Sequence, residues 1–181
     1  MNEISTNLVT FNKNGYTSAL YFIPESGKII YRDKVDTLIG IKHPGIILGK
    51  DAWGDIWVIH NHYQIGYPQI VKLNEFADGN LWFYDNRPVF YNTIDIVKRA
   101  IHHFYQRNQY HWLFNNCQHF VNEVTQNDSY SETIDNVSNN ALIGGGLLTL
   151  FGALCNNKAL VQTGLTIAGT GVAGKVLNRI K

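Results

Sequence analysis

His43-Pro44-Gly45-Ile46-Ile47-Leu48-Gly49, followed after a short link by Ile56-Trp57-Val58-Ile59-His60, is the stretch whose reading decides the fold. Leu38 to Leu48 is apolar apart from Lys42 and His43, and Ile56 to His60 forms a second run. The link from Gly49 to Asp55 is turn-rich, so the two runs read as an antiparallel hairpin. A turn centred between Asp51 and Ala52 sets His43 directly opposite His60, on one face. A turn centred on Trp53-Gly54 sets His43 opposite Gln64, with His60 and His62 still on its face. A one-residue slip separates them.

Working outward, residues 1–36 read as short strands, Thr17 to Ile23 and Lys28 to Tyr31, with Ser26-Gly27 as a turn. Gln69 to Leu73, Leu81 to Tyr84 and Val89 to Tyr91 continue as extended pieces. Thr93 to Arg107 has helical spacing, with Thr93 as N-cap and Val97, Ala100, Ile101, Phe104 and Tyr105 on one face. His102 and His103 lie off that stripe and read as surface residues. Asn115-Asn116 caps a further helix, Cys117 to Thr125, whose stripe is Cys117, Phe120, Val121 and Val124. His119 points away from it. Cys117 falls in the first turn, where helix amides and the macrodipole stabilise a thiolate.

A cysteine nucleophile needs a base within reach and a group that orients the base. His43, His60 and Cys117 fit base, orienting group and nucleophile, with His62 as an alternative orienting residue. On spacing alone the favoured reading of Cys117 is inert buried packing. A zinc site from His60-x-His62 and Cys117-x-His119 is disfavoured, because Cys117 and His119 diverge on a helix and the spacing is not a usual zinc pattern. No metal and no cofactor is expected.

Asn116-Cys117-Gln118-His119-Phe120-Val121 resembles the Asn-Cys-Glu-His-Phe box of the lecithin:retinol acyltransferase-like family. His43-Pro44-Gly45-Ile46 with Gly49 resembles its first box, and Val58-Ile59-His60 its second. The Leu-x-x-Phe pattern between Val71 and Gly79 and the lead-in from Tyr110 to Asn115 also match its layout, so the resemblance covers residues 38–126. It implies an α+β, circularly permuted papain-like fold, related to the NlpC-type peptidases, with an antiparallel sheet and a nucleophile helix. It implies Cys117 as nucleophile, His43 as base and acid, and His60 as the third residue. The activity implied is attack on a lipid ester to form a thioester acyl-enzyme, as in the family's phospholipase/acyltransferases. A thiol amidase or peptidase using the same residues, or a non-catalytic interaction module, are the alternatives. Two departures bear on substrate: Gln118 stands for the family's usual glutamate, and Pro44 for a bulkier residue. Asn116, Gln118 and Trp112 are candidate supporting residues, the last as lining of an acyl groove.

Residues 128–140 read as a polar linker between a domain over 1–127 and an apolar, glycine-rich tail over 141–181. The tail holds 8 of the chain's 16 glycines. Its uncharged halves, Ala141 to Cys155 and Ala159 to Gly174, are each about 23 Å long as helices, short of the roughly 20 residues a bilayer core needs. A helical hairpin on or in a membrane surface is expected, with packing on the domain or in an oligomer as the alternative.

Composition removes several classes. Charged residues are 16%, against about 25% usually, with apolar residues at 45%, which excludes disorder. A net charge of +1 without a basic stripe argues against nucleic acid as partner. Two cysteines exclude a disulfide scaffold. The first residues lack an apolar export signal, so an intracellular location is expected.

Overall fold

A computed structural model describes residues 8–33, 42–62, 64–109, 116–128, 130–155 and 157–179. The chain is α+β and divides into two units, Met1–Asp128 and Ser129–Lys181.

The first unit is built on a seven-stranded antiparallel sheet. Its strands are β1 (Leu8–Lys13), β2 (Tyr16–Tyr21), β3 (Ile29–Asp33), β4 (Lys42–Lys50), β5 (Ile56–His62), β6 (Tyr67–Lys72) and β7 (Trp82–Asp85). β4 is the hub. β2 and β3 lie along one side of it and β5 along the other. Three helices accompany the sheet: α1 (Leu73–Ala77), α2 (Thr93–Gln106) and α3 (Cys117–Gln126).

Strand alternation sorts the apolar residues into two layers. Ile29, Ile46, Leu48, Ile59 and Ile70 pack with Val97, Ala100 and Ile101 of α2 and with Phe120, Val121 and Val124 of α3. Ile30, Ile47 and Val58 pack on the other side with Phe76 of α1.

The β4–β5 pairing has a register that neither expected turn produces. Near the turn Lys50 faces Ile56 and Gly49 faces Trp57; beyond it Ile47 faces Val58 and Ile46 faces Ile59. Leu48 is therefore an extra residue, a β-bulge. Without it His43 would stand on the face opposite to His60 and His62. The bulge shifts the register by one, so all three histidines share a face, and continuing the Ile46–Ile59 register sets His43 opposite His62. The turn is held by Asp51, whose carboxylate accepts from the amides of Trp53 and Asp55 and from Trp57 Nε1 at 2.9–3.0 Å. Gly49, beside the bulge, allows β2 to close in: a Cβ there would lie 2.6 Å from the Tyr21 carbonyl oxygen.

Other expectations are corrected. Val89–Tyr91 forms no strand. The N-cap of α2 is Asn92, whose side chain accepts from Asp95 N, while Thr93 is the first helical residue. His103 is partly buried, its ring edge-on to Phe120 at 5.8 Å. The hairpin start at residues 38–41 and the lead-in at 110–115, with Trp112, lie outside the described residues.

The second unit is a helical hairpin of α4 (Glu132–Leu154) and α5 (Lys158–Asn178). Residues 132–140 are thus not a linker but the first turns of α4. Ser131 caps them by accepting from Ile134 N, and the buried Ile134 and Ser138 repeat at helical spacing. This extension also corrects the length argument: Ile134–Leu154, 21 residues, is long and apolar enough to cross a membrane. The open end of the hairpin is tied by Asn178, which accepts from Ser131 N at 2.8 Å and donates to Ser131 O at 2.9 Å.

Candidate active site

His43 is the second residue of β4 and His60 lies near the end of β5. The β4–β5 ladder begins only at Ile46, so at Pro44 the strand pairs with Tyr31 of β3 alone among its two flanks. A missing amide donor is tolerated there because no β5 partner asks for it. In this splayed corner the two imidazoles meet: His43 Nε2 and His60 Nδ1 are 2.8 Å apart. Both are buried, with 6% and 4% of their surfaces exposed.

Phe76 backs the pair, stacked on His43 at 5.7 Å and edge-on to His60 at 5.5 Å. Gly45 makes room for it. A Cβ on Gly45 would lie 2.9 Å from Phe76 Cε2 and 2.8 Å from Val58 Cγ1. The Gly of the first box and the Phe of Leu-x-x-Phe are therefore one packing unit beneath the imidazoles.

Burial drives the His60 imidazolium off strongly, and the positive charges of His62, Arg32 and Lys13 act in the same direction, so its pKa falls to about 3. At neutral pH His60 is uncharged, with one ring nitrogen a donor and the other an acceptor. The contact between His43 Nε2 and His60 Nδ1 therefore shares a single proton between the two rings and fixes the orientation of the His43 imidazole.

His62 is not the residue that meets His43. Its ring lies edge-on to His60 at 5.3 Å, and its Nδ1 accepts from the amides of Gln64 and Ile65 in the turn to β6. That nitrogen is thereby committed to the turn.

Cys117 is the first residue of α3 and is buried, 9% exposed. Asn116 caps the helix, its side-chain oxygen accepting from Gln118 N at 2.9 Å and His119 N at 3.1 Å. Gln118 contributes its backbone amide to this cap and stands half-buried. α3 packs on β4 and β5, the strands that carry the histidines. Its stripe lies against the Ile46 and Ile59 side, while alternation turns His43 and His60 toward Phe76. The structure thus joins the two histidines directly, and holds the thiol at the capped start of a helix on the same strand pair. His119, which lies away from that stripe, is also buried, at 2% exposure, because α3 is covered on its flanks as well as its stripe. Among the described residues no three His, Cys, Asp or Glu side chains converge in a way that could hold a metal ion.

Two outcomes are expected from this geometry. Asn116→Ala removes two buried capping bonds and should destabilise the first unit by about 1–2 kcal/mol, a fall of several degrees in thermal melting. Asn116→Asp, which keeps the acceptor, should retain most of the stability. The second concerns acid. Between the ordinary imidazole value of 6.5 and about 3, unfolded His60 binds a proton that folded His60 refuses. Stability is therefore full above pH 6.5 and declines as pH falls toward 3, by an upper limit of roughly 5 kcal/mol for this group. His103, also held below its ordinary value by burial, adds in the same direction. Denaturant midpoints between pH 7 and 4 should fall less steeply in His60→Asn than in the wild type.

No family model matches the chain, and no curated protein matches it.

Proposed function

We propose that the protein is a cysteine-dependent acyltransferase or phospholipase, with its α+β unit arranged as a circularly permuted papain-like fold. Cys117 is the nucleophile, His43 the base and acid, and His60 the residue that orients it. The observation that carries this reading is the buried 2.8 Å contact between His43 and a neutral His60, which holds the His43 imidazole in one orientation. A capped helix start at Cys117 on the same strand pair supports it, as does the resemblance of the three boxes.

The reaction requires the Cys117 sulfur to come within hydrogen-bond reach of His43. His43 takes the thiol proton. The thiolate adds to the carbonyl carbon of a lipid ester, and the tetrahedral adduct collapses as His43 returns the proton to the departing alkoxide. The product is a thioester on Cys117 and a free alcohol. Water or another acceptor, deprotonated by His43, then attacks the thioester and releases the acyl group and the thiol.

Intact-mass analysis after incubation with phosphatidylcholine vesicles tests this. An added acyl mass on the wild type, absent in Cys117→Ala, is expected. Cys117-dependent cleavage of peptide amides without an acyl adduct would move the assignment to an amidase. Failure of neutral-pH alkylating reagents to modify Cys117 would leave a non-catalytic module.

A further inference from the structure

The second unit carries a surface that the acyl-transfer reading does not use. Along α4, every exposed residue from Ile143 to Cys155 is Ile, Leu, Phe, Ala, Cys or Gly. At about 100° per residue these positions cover roughly half of the helix circumference. Only 17% of the most apolar window of α4 is buried within the protein. The face that a water-exposed helix makes polar is here wholly apolar.

Three observations select what covers it. The first is breadth. A helix–helix interface with a second copy uses a narrower stripe flanked by charged residues, and no charge flanks this one: residues 136–157 and 159–174 contain none. The second is where the charges are. Asp135 in the first turns of α4 and Lys175 and Arg179 at the end of α5 lie toward the open end of the antiparallel hairpin, with Lys158 alone at its tip. A long lysine at a helix end reaches polar headgroups while its stem stays apolar. The third is the hydroxyl groups. Thr149 donates to Gly145 O at 2.8 Å, Thr166 to Gln162 O at 2.9 Å and Thr170 to Ile167 O at 2.7 Å. Each returns its proton to a helix carbonyl: Thr149 within the seam, and Thr166 and Thr170 on the exposed side of α5, as a donor facing hydrocarbon must.

We propose that the α4–α5 hairpin inserts into a lipid bilayer, with the Ile143–Cys155 face of α4 buried among the acyl chains. Ile134–Leu154 spans about 32 Å as a helix, comparable to the roughly 30 Å hydrocarbon layer. The close seam between the helices lets the hairpin enter as one body, with the backbone groups of the helix interiors bonded within each helix. This inference is independent of the catalytic assignment.

The test places an environment-sensitive fluorophore at the centre of the face. The full chain with Leu147→Cys, and with Cys117→Ser and Cys155→Ser to leave one thiol, is labelled with nitrobenzoxadiazole and mixed with vesicles of phosphatidylcholine and phosphatidylglycerol. The expected result is flotation with the vesicles, a blue-shifted emission and strong quenching by lipids carrying spin labels on their acyl chains. Flotation without acyl-chain quenching would overturn the proposal, since another surface would then bind. A blue shift without vesicle binding, in a discrete oligomer by sedimentation, would overturn it by showing that a second copy covers the face.

Discussion

His43→Ala is expected to slow alkylation of Cys117 on the order of a hundredfold at pH 6, and to move the pH profile of the reaction up into the ordinary cysteine range. A cysteine without a partner titrates near 8.5, so little thiolate exists at pH 6. A thiol that has handed its proton to an imidazole is reactive there. Turnover of a lipid ester should fall by about 10²–10⁴ in His43→Ala and be lost in Cys117→Ala. His60→Asn separates orientation from basicity. It keeps a hydrogen-bonding group beside His43 but changes its reach, so the rate should fall while the thiol profile shifts less. A Cys117 profile unchanged by His43→Ala would remove His43 as the base. That outcome would leave Cys117 without a base and the histidine pair without a role in its chemistry.

The parts of this fold that could be read in the sequence are those where one residue has one local task. Asn116 before Cys117 is such a case, since an asparagine at a helix start has a side chain of the right length to take the first amides. The hairpin between Gly49 and Ile56 is another. Its register was not readable, because the bulge at Leu48 depends on how β2 and the Asp51 turn crowd that end of β4, which are contacts across the sheet. The shared face of His43 and His60 was readable, and the bulge is what keeps them on it in the observed register. The environment of α3 was misjudged for a related reason. Periodicity marks the stripe Phe120, Val121 and Val124. It does not mark Asn122, which accepts from Arg87 Nη1 at 2.8 Å, or Thr125, which donates to Val121 O at 2.8 Å. Polar groups satisfied inside a protein look like surface in a sequence. The extent of α4 was hidden likewise. Asn136, Ser138, Asn139 and Asn140 read as linker, but Ser138 faces the seam against Gly171 and Gly174, and the cap at Ser131 starts the helix well before the apolar run.

That seam makes a second large effect predictable, with opposite signs at adjacent positions. Gly145 and Gly152 on α4 are seven residues apart, as are Gly164 and Gly171 on α5, so each pair lies on one stripe of its helix. A Cβ on Gly145 would stand 2.4 Å from Ala168 N and 2.6 Å from Gly164 O. Both are backbone atoms, so no rotamer change relieves the overlap and the helix axes must separate. Separation would also open the contacts of Gly164 with Thr149 and of Gly171 with Leu142, which rest on the same close approach. Gly145→Ala should therefore destabilise the hairpin by about 1–3 kcal/mol in spite of alanine's better helix propensity. At Gly146 an added Cβ meets nothing within 4 Å. There the propensity acts alone, and Gly146→Ala should stabilise the hairpin by roughly 0.5–1 kcal/mol. Thermal melts of the two variants in lipid or detergent, followed by circular dichroism at the helix band, should move in opposite directions from the wild type. Equal shifts would mean that the glycines loosen the helices uniformly and that backbone contact at Gly145 does not hold them together.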